Sequence, residues 1–416
     1  MKYLKTDYID KTFWGLFIAL IIVAILALFS AGSTLVYKHN SALGPVGQQM
    51  LFIAIGVAIA YSIQFLPSWI IRFGGYGLLA ISILCLYVIL IPGNPFVMTI
   101  NGASRWMKIG GFAFQPSELA KLSLIIVVAD LLARIKSEQD KKKYFYWTLG
   151  ITLVTAFPIL TGNLSTALLL CAIVFAMWVL ARIPWQYLCS VVAIALVAMA
   201  LGYSIIEFGF VRPHRSLSDR NPLKRAVTWV NRVDEAVAEM HQPTAEFKLT
   251  EDNYQRSIAK VAIARGGKSP LGVLPGNSKE RDFLPLAFAD YIFAIIVEES
   301  GLIGAIILIA IYLAILFRAC YASSRFADYA SMLMVMGLAL MITCQALVSM
   351  MVAVGIGPVT GQPLPLISRG GTSVLITSVY FGIMLCVSRE QTMLSERQSA
   401  TRKESLNDVP DITFEA

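Results

Sequence analysis

Long apolar runs, separated by short polar stretches, make up most of the chain. Each run is close to the roughly 20 residues that a helix needs to cross a bilayer. Because the hydrocarbon region offers the backbone no water, such runs must form helices. The pattern therefore predicts an all-α polytopic membrane protein with ten transmembrane helices, near 13–32, 47–66, 74–93, 118–134, 144–161, 164–182, 186–206, 300–320, 330–353 and 371–388.

The polar segments divide the chain into three parts: a basic leader over 1–12, the transmembrane domain over 13–388, and a tail of mixed charge over 389–416. We expect the tail to be disordered. The domain contains one large loop, residues 207–289. Apolar residues at helical spacing predict two helices inside that loop, over 223–240 and 254–265.

The composition agrees with this fold class, and the distribution of positive charge predicts the orientation of the protein in the membrane. The chain is 57% hydrophobic and 14% charged, whereas soluble proteins carry about 25% charged residues. The short loops on one side hold sixteen Lys and Arg residues, against four on the opposite side. Positive charge favours the cytoplasm, so we expect both termini to be cytoplasmic and the large loop to be extracytoplasmic.

Polar residues inside apolar segments are candidates for function. Glu118 and Lys121 share one face of the fourth span; they form either a structural ion pair or part of a substrate site or gate. Gln345 is a lone polar residue in the ninth span, and we expect it to hydrogen-bond to a neighbouring helix. Residues 355–375 form a loop rich in Gly and Pro, which is tolerated at membrane depth where it is buried or lines a polar cavity.

The stretch from Gly266 to Gly301 contains the strongest candidate for catalysis. A basic loop leads into Asp290, which precedes an apolar run at the predicted boundary between water and lipid. A carboxylate there could act as a general base. Lys and Arg side chains are natural ligands for a pyrophosphate, and the outside loops supply Arg212, Arg215, Lys279, Arg281 and Arg369, together with Arg105, Lys108 and Lys268.

These residue types favour transfer of a group carried on a lipid pyrophosphate, but a lipid or solute transporter and an interaction scaffold stay open as alternatives. The three histidines lack partners at metal-ligand spacing, and the six cysteines form no CxxC motif, so no metal site is predicted. A Walker-type phosphate loop is also absent from the sequence.

Several blocks of sequence carry a resemblance to a known family: Asn101-Gly102-Ala103 with Arg105-Trp106, Phe114-Gln115-Pro116-Ser117-Glu118 with Lys121, Gly276-Asn277-Ser278 through Leu284-Pro285, Asp290 with Ile292-Phe293-Ala294 and Glu298-Glu299, Pro358 with Gly361, and Leu364-Pro365 with Ser368 and Gly370-Gly371. In this order, and with a large loop after span seven, they resemble the SEDS family (shape, elongation, division and sporulation) of bacterial membrane proteins, FtsW and RodA.

The resemblance implies a peptidoglycan glycosyltransferase that polymerises lipid II, an undecaprenyl-pyrophosphate-linked disaccharide pentapeptide, outside the cytoplasmic membrane. It implies a class B penicillin-binding protein and other divisome membrane proteins as partners, and no nucleic acid. Asp290 matches the essential aspartate of the family, and Trp106, Glu118 and Lys121 match its conserved Trp, Glu and Lys. A lipid II flippase is the main competing function.

Three positions depart from the family pattern. Leu286 stands where many relatives have Glu, Asn163 replaces an Asp, and Arg369 replaces a Tyr. The Arg369 variant and the short soluble tails favour the division member and a septal location over the elongation member. The sequence indicates no cofactor and leaves open whether a divalent cation, Mg²⁺ or Mn²⁺, assists.

Overall fold

The computed structural model describes residues 8–39, 43–91, 93–100, 103–110, 112–211, 227–231, 233–234, 254–284, 290–358 and 360–407. A helix lies at each of the ten positions that the sequence predicts: α1 (Lys11–His39), α2 (Leu43–Ile63), α3 (Ser68–Ile89), α4 (Pro116–Ala133), α5 (Glu138–Gly162), α6 (Leu164–Leu180), α7 (Trp185–Ile206), α9 (Ile292–Ser323), α10 (Tyr329–Ala353) and α11 (Gly371–Asn407). The fold class of a helical polytopic membrane protein is confirmed.

Eight of these helices in the described part of the chain are long and apolar enough to cross a membrane. The other two are α4 and α6. The α4 helix carries Glu118, Lys121 and Asp130 within 18 residues, and α6 has only 17 residues. The α4 helix is buried along most of its length, so neighbouring helices can compensate for its charges. The α6 helix buries one face, whereas Leu168 and Val179 stay exposed.

The loop between α3 and α4 departs from an all-α description. It forms an antiparallel sheet of three strands in the order β1-β2-β3, with β1 at Val97–Ile100, β2 at Ala103–Ile109 and β3 at Phe112–Phe114. The sequence predicts no strands there, because strands this short leave little periodic signal.

The C-terminal tail and the large loop concern the remaining predictions. The α11 helix continues into the tail as far as Asn407; the disorder expected for the tail stays a prediction, and residues 408–416 lie outside the described residues. In the large loop, α8 (Tyr254–Gly266) confirms the second predicted helix. Most of the first one, 223–240, lies outside the described residues, although 227–231 are helical.

The centre of the bundle is formed by α4 and α10, which are buried along most of their length. Small residues allow close contact between helices, as is usual in membranes. A Cβ atom added at Gly337 of α10 would lie 2.7 Å from Ile125 of α4, and one added at Gly75 of α3 would lie 2.5 Å from Ile126. By contrast, α7 stands at the rim, with only Leu188 buried among its described residues.

The end of the bundle where the chain enters and leaves the segment 207–289 is called the loop end below. From the loop end, residues 354–358 and 360–370 fold back into the bundle between α10 and α11, and they are called the inserted loop. The Gln345 amide of α10 donates to Pro363 O at 3.0 Å, and the Tyr312 hydroxyl of α9 donates to Pro365 O at 2.6 Å. These side chains bond carbonyls that no lipid could satisfy.

Candidate functional site

The β-sheet fixes Arg105 and Trp106 at the loop end. Successive side chains of a strand point to opposite faces of the sheet. Arg105 therefore shares the face of Met107, which is buried, whereas Trp106 shares the face of Lys108, which is exposed. Pairing of Trp106 with Met98 and of Met107 with Phe114 sets this register.

Asp290 and Arg105 meet at the inserted loop. A Cβ atom added at Gly361 would lie 3.8 Å from Oδ2 of Asp290 and 3.9 Å from Nη1 of Arg105. Gly361 has a φ of +60°, a conformation that glycine adopts without the steric cost of a side chain. Because residue 361 has no side chain, the backbone of the inserted loop lies close to the Asp290 carboxylate and the Arg105 guanidinium. Asp290 is partly exposed.

Glu118 and Lys121 form a buried ion pair at the start of α4, with Lys121 Nζ 2.7 Å from Glu118 Oε1. The ammonium group also donates to Gln345 Oε1 at 2.9 Å, and this confirms that Gln345 bonds to a neighbouring helix. Gln345 in turn donates to Pro363 O. Only 2% of the Lys121 side chain and 9% of the Glu118 side chain are exposed. The pair thus supports the inserted loop from inside the bundle, two residues away from Gly361.

The remaining predicted cations occupy different surroundings. Arg369 lies half-buried at the end of the inserted loop, and burial lowers the pKa of its guanidinium from the ordinary value. The Lys279 side chain is exposed. Arg212 and Arg215 lie outside the described residues.

Arg281 is held in contacts within the protein. Its Nη1 atom donates to the carbonyl of Ser30 in α1 at 3.1 Å and lies 3.7 Å from Oε1 of Glu299. Its Nη2 atom donates to Gly276 O at 3.1 Å. In this conformation the Arg281 guanidinium joins the large loop to the bundle rather than lying open to a ligand.

From the sequence, Arg105 is one of several outside cations and does not stand out as part of the site. No periodic signal marks that residue, because its position depends on the short sheet and on contact with a loop that is distant in the chain. Among the described residues, no group of three or more His, Cys, Asp and Glu side chains comes close enough to hold a metal ion.

A partly exposed carboxylate beside a guanidinium is chemically versatile. The carboxylate can accept a proton from a hydroxyl group within hydrogen-bond reach. The guanidinium can pair with a phosphate or a developing anion through charge-assisted hydrogen bonds. Both groups lie at the loop end of the bundle and are partly exposed.

Comparison with known proteins places this arrangement in a family. The model of the FtsW/RodA/SpoVE cell cycle protein family matches residues 10–393. The chain is 30% identical over 398 residues to a probable peptidoglycan glycosyltransferase FtsW of Halothiobacillus neapolitanus, with 92% of this chain and 88% of the relative covered. It is 25% identical over 389 residues to the peptidoglycan glycosyltransferase MrdB of Escherichia coli strain K12, with 94% and 96% covered.

A solved structure has the same fold. It describes the structural coordination of polymerization and crosslinking by a peptidoglycan synthase complex, and one of its chains matches with a TM-score of 0.69 and 25% identity. The match covers 92% of this chain and 98% of that chain. With a family model that spans nearly the whole transmembrane domain, this chain belongs to the SEDS family of cell cycle proteins.

Proposed function

We propose that this protein is a peptidoglycan glycosyltransferase that polymerises lipid II at the outer face of the bacterial cytoplasmic membrane. The observation that carries the proposal is the meeting of Asp290 and Arg105 at Gly361, at the loop end of the bundle. Family membership and relatives named peptidoglycan glycosyltransferase support the substrate class.

In this proposal Asp290 is the general base. Its carboxylate takes the proton of the acceptor sugar hydroxyl while that oxygen attacks C1 of the lipid-linked sugar. The bond between C1 and the pyrophosphate oxygen breaks, and a polyprenyl pyrophosphate leaves. Cations at the loop end stabilise the negative charge that develops on the leaving group.

Arg105 and Arg369 are the cations that we propose for the leaving pyrophosphate, because both are half-buried and an arginine fork fits phosphate oxygens. Lys279, Arg212 and Arg215 supply further positive charge around the bound lipid. Trp106 contributes a binding surface on the outer face of the sheet. We assign Glu118 and Lys121 the supporting role that their burial under the inserted loop favours.

The proposed setting is septal wall synthesis, with both termini in the cytoplasm and a class B penicillin-binding protein as partner. The matched chain from a complex that couples polymerization to crosslinking supports such a partner. The relatives include both an FtsW and an MrdB. Depletion of the protein distinguishes the two roles, since filamentous cells indicate division and rounded cells indicate elongation.

The decisive experiment uses the purified full chain, alone and with its partner, and labelled lipid II. The wild type should form glycan polymer, and Asp290→Asn should lower the rate by about 100-fold or more, in line with the usual contribution of a general base. Assays with and without a chelator decide whether a divalent cation assists.

The matched control is Glu138→Gln. It removes a carboxylate whose side chain is 79% exposed, in a pair with Lys141 on α5, and should leave the rate unchanged. Full polymerisation by Asp290→Asn would overturn the assignment of the base. Transbilayer movement of lipid II without any polymer would instead identify a flippase.

A further inference from the structure

The α9 helix begins two residues after Asp290 and is interrupted at Gly301. Gly301 has φ +66° and ψ −161°, which separates a leading segment, 292–300, from the rest of the helix. In an unbroken helix the carbonyls of Glu298 and Glu299 would accept bonds from residues four positions further on. At the break these two carbonyls lose those partners.

The large loop supplies the missing partners. The backbone N–H groups of Val273 and Leu274 donate to the carbonyls of Glu298 and Glu299, both at 2.9 Å. On the other side of the break, Ile303 N donates to Pro270 O at 3.2 Å. The loop backbone therefore crosses the helix at the break and replaces its lost hydrogen bonds.

The crossing is too close for side chains at two positions. A Cβ atom added at Gly301 would lie 2.4 Å from Gly272 N and from Pro270 O. One added at Gly272 would lie 2.5 Å from Glu298 O. Both glycines also have positive φ, so loop and helix fit together only with glycine at each of these positions.

Two buried glutamates, Glu298 and Glu299, stabilise this contact between loop and helix. Glu298, which has no exposed surface, accepts hydrogen bonds from Ser278 Oγ and from Lys279 N, and its Oε1 atom lies 3.4 Å from Arg265 Nη1. Arg265 comes from the end of α8. A buried charge is tolerated when it is paired and hydrogen-bonded in this way.

Glu299 stabilises the same contact through a second set of partners. It accepts hydrogen bonds from Ser30 Oγ of α1 and from Gly276 N, and it pairs with Arg281. We call the two glutamates and their arginines the clasp: Glu298 with Arg265, and Glu299 with Arg281. The clasp joins α1, α8, α9 and the loop at one point.

We propose that the clasp is a positioning device for Asp290, a role that rests on the proposed function. The leading segment of α9 is about 13 Å long at 1.5 Å per residue, and Asp290 lies two residues before its start. A tilt of about 10° at the break would therefore move Asp290 by about 3 Å. A misplacement of about 1 Å can cost roughly 100-fold in rate.

Glu298→Gln and Glu299→Gln test this role, because each substitution removes the ion pair but keeps the size and acceptor oxygen of the side chain. In the lipid II assay, kcat per folded molecule should fall about 10- to 100-fold, since the base is misplaced. KM should change less than about twofold, since neither carboxylate binds substrate in this proposal.

Two control variants separate positioning from general loss of stability. Thr148→Val removes the buried hydrogen bond from Trp178 between α5 and α6, away from the clasp, and should lower the melting temperature without changing kcat per folded molecule. Glu138→Gln should change neither quantity, because its side chain is largely exposed. Unchanged kcat in both clasp variants would overturn the positioning role.

Hydrogen exchange measures the clasp independently of activity. In Glu299→Gln, the backbone amides of Val273, Leu274 and Ile303 should exchange faster than in the wild type, while those of α4 should not change. Unaltered exchange would overturn the proposal. A wild type that makes no glycan would overturn the proposed function and this role together, whereas an active wild type with unaffected variants would overturn this role alone.

Discussion

Asp290 and Arg105 come from distant parts of the chain, and the inserted loop is what brings them together. A glycine at position 361 leaves the space between the two charged side chains open. Neither side chain could define a site alone: a base needs an adjacent acceptor hydroxyl, and a leaving pyrophosphate needs a cation. In the proposed reaction, Asp290 takes the proton and Arg105 pairs with the leaving pyrophosphate.

Arg105 can be tested separately from Asp290. Arg105→Gln should lower kcat by about 10- to 100-fold, as expected for the loss of one electrostatic contact to a developing anion. Arg105→Lys should recover only part of the rate, because lysine keeps the charge but not the planar fork. The measurement is steady-state polymerisation of lipid II.

Lys108→Gln is the matched control for Arg105, since Lys108 is exposed on the same strand. Its rate should stay within about twofold of the wild type, in line with the small effects of exposed charges. Equal losses in both variants would show that the net charge of the sheet matters rather than the position of Arg105.

At the level of elements, the ten helices could be predicted because an apolar run of about 20 residues has few alternatives in a membrane. The first and last residues of each helix could be predicted less accurately than its existence. The sequence placed the eighth span at 300–320, whereas α9 begins at Ile292. Glu298 and Glu299 resemble the polar end of a span in sequence, and only their contacts in the folded chain explain why they are buried.

The sheet and the break in α9 could not be predicted for a related reason. Both depend on pairing between distant segments: β1 with β2, and the backbone at Val273 and Leu274 with the broken helix. The glycines that allow the crossing, Gly272 and Gly301, look in sequence like ordinary turn residues. The sequence singles out Asp290 as a candidate base, which stays a prediction, but the groups that surround Asp290 could not be predicted.

The hydrogen bond that Tyr312 donates to the inserted loop can be tested separately. Tyr312→Phe removes the hydrogen bond to Pro365 O and leaves a buried carbonyl without that donor. The cost should be about 1–3 kcal/mol of stability. Thermal unfolding in detergent should therefore show a lower melting temperature, and the amides of Ile367 and Ser368, which bond to Leu364 O, should exchange faster.

Tyr321→Phe is the matched control on the same helix, because the Tyr321 side chain is 50% exposed. It should leave both the melting temperature and the exchange of the inserted loop unchanged. A Tyr312→Phe variant as stable as the wild type would show that other contacts hold the inserted loop in the bundle.

At the scale of the whole molecule, the chemistry is concentrated at one end of an otherwise apolar bundle. The sheet, the inserted loop and the clasp all lie at the loop end. The polar groups of each can form hydrogen bonds or ion pairs there. At the opposite end, Asp10 accepts hydrogen bonds from Arg318 and Ser388, which ties α1, α9 and α11 together. One end carries the candidate site, and the other joins the helices.

This asymmetry has a direct consequence for topology, because an extracytoplasmic substrate can reach Asp290 only if the loop end faces outward. Lys268→Cys places a thiol on the large loop, and Glu138→Cys places one at the opposite end, at the start of α5; both positions are exposed. In intact spheroplasts, a membrane-impermeant maleimide should label the first variant and not the second. After permeabilisation both should react, and the parent chain with its six native cysteines sets the background. Labelling of Glu138→Cys alone in intact cells would place the loop end in the cytoplasm and exclude polymerisation at the outer face.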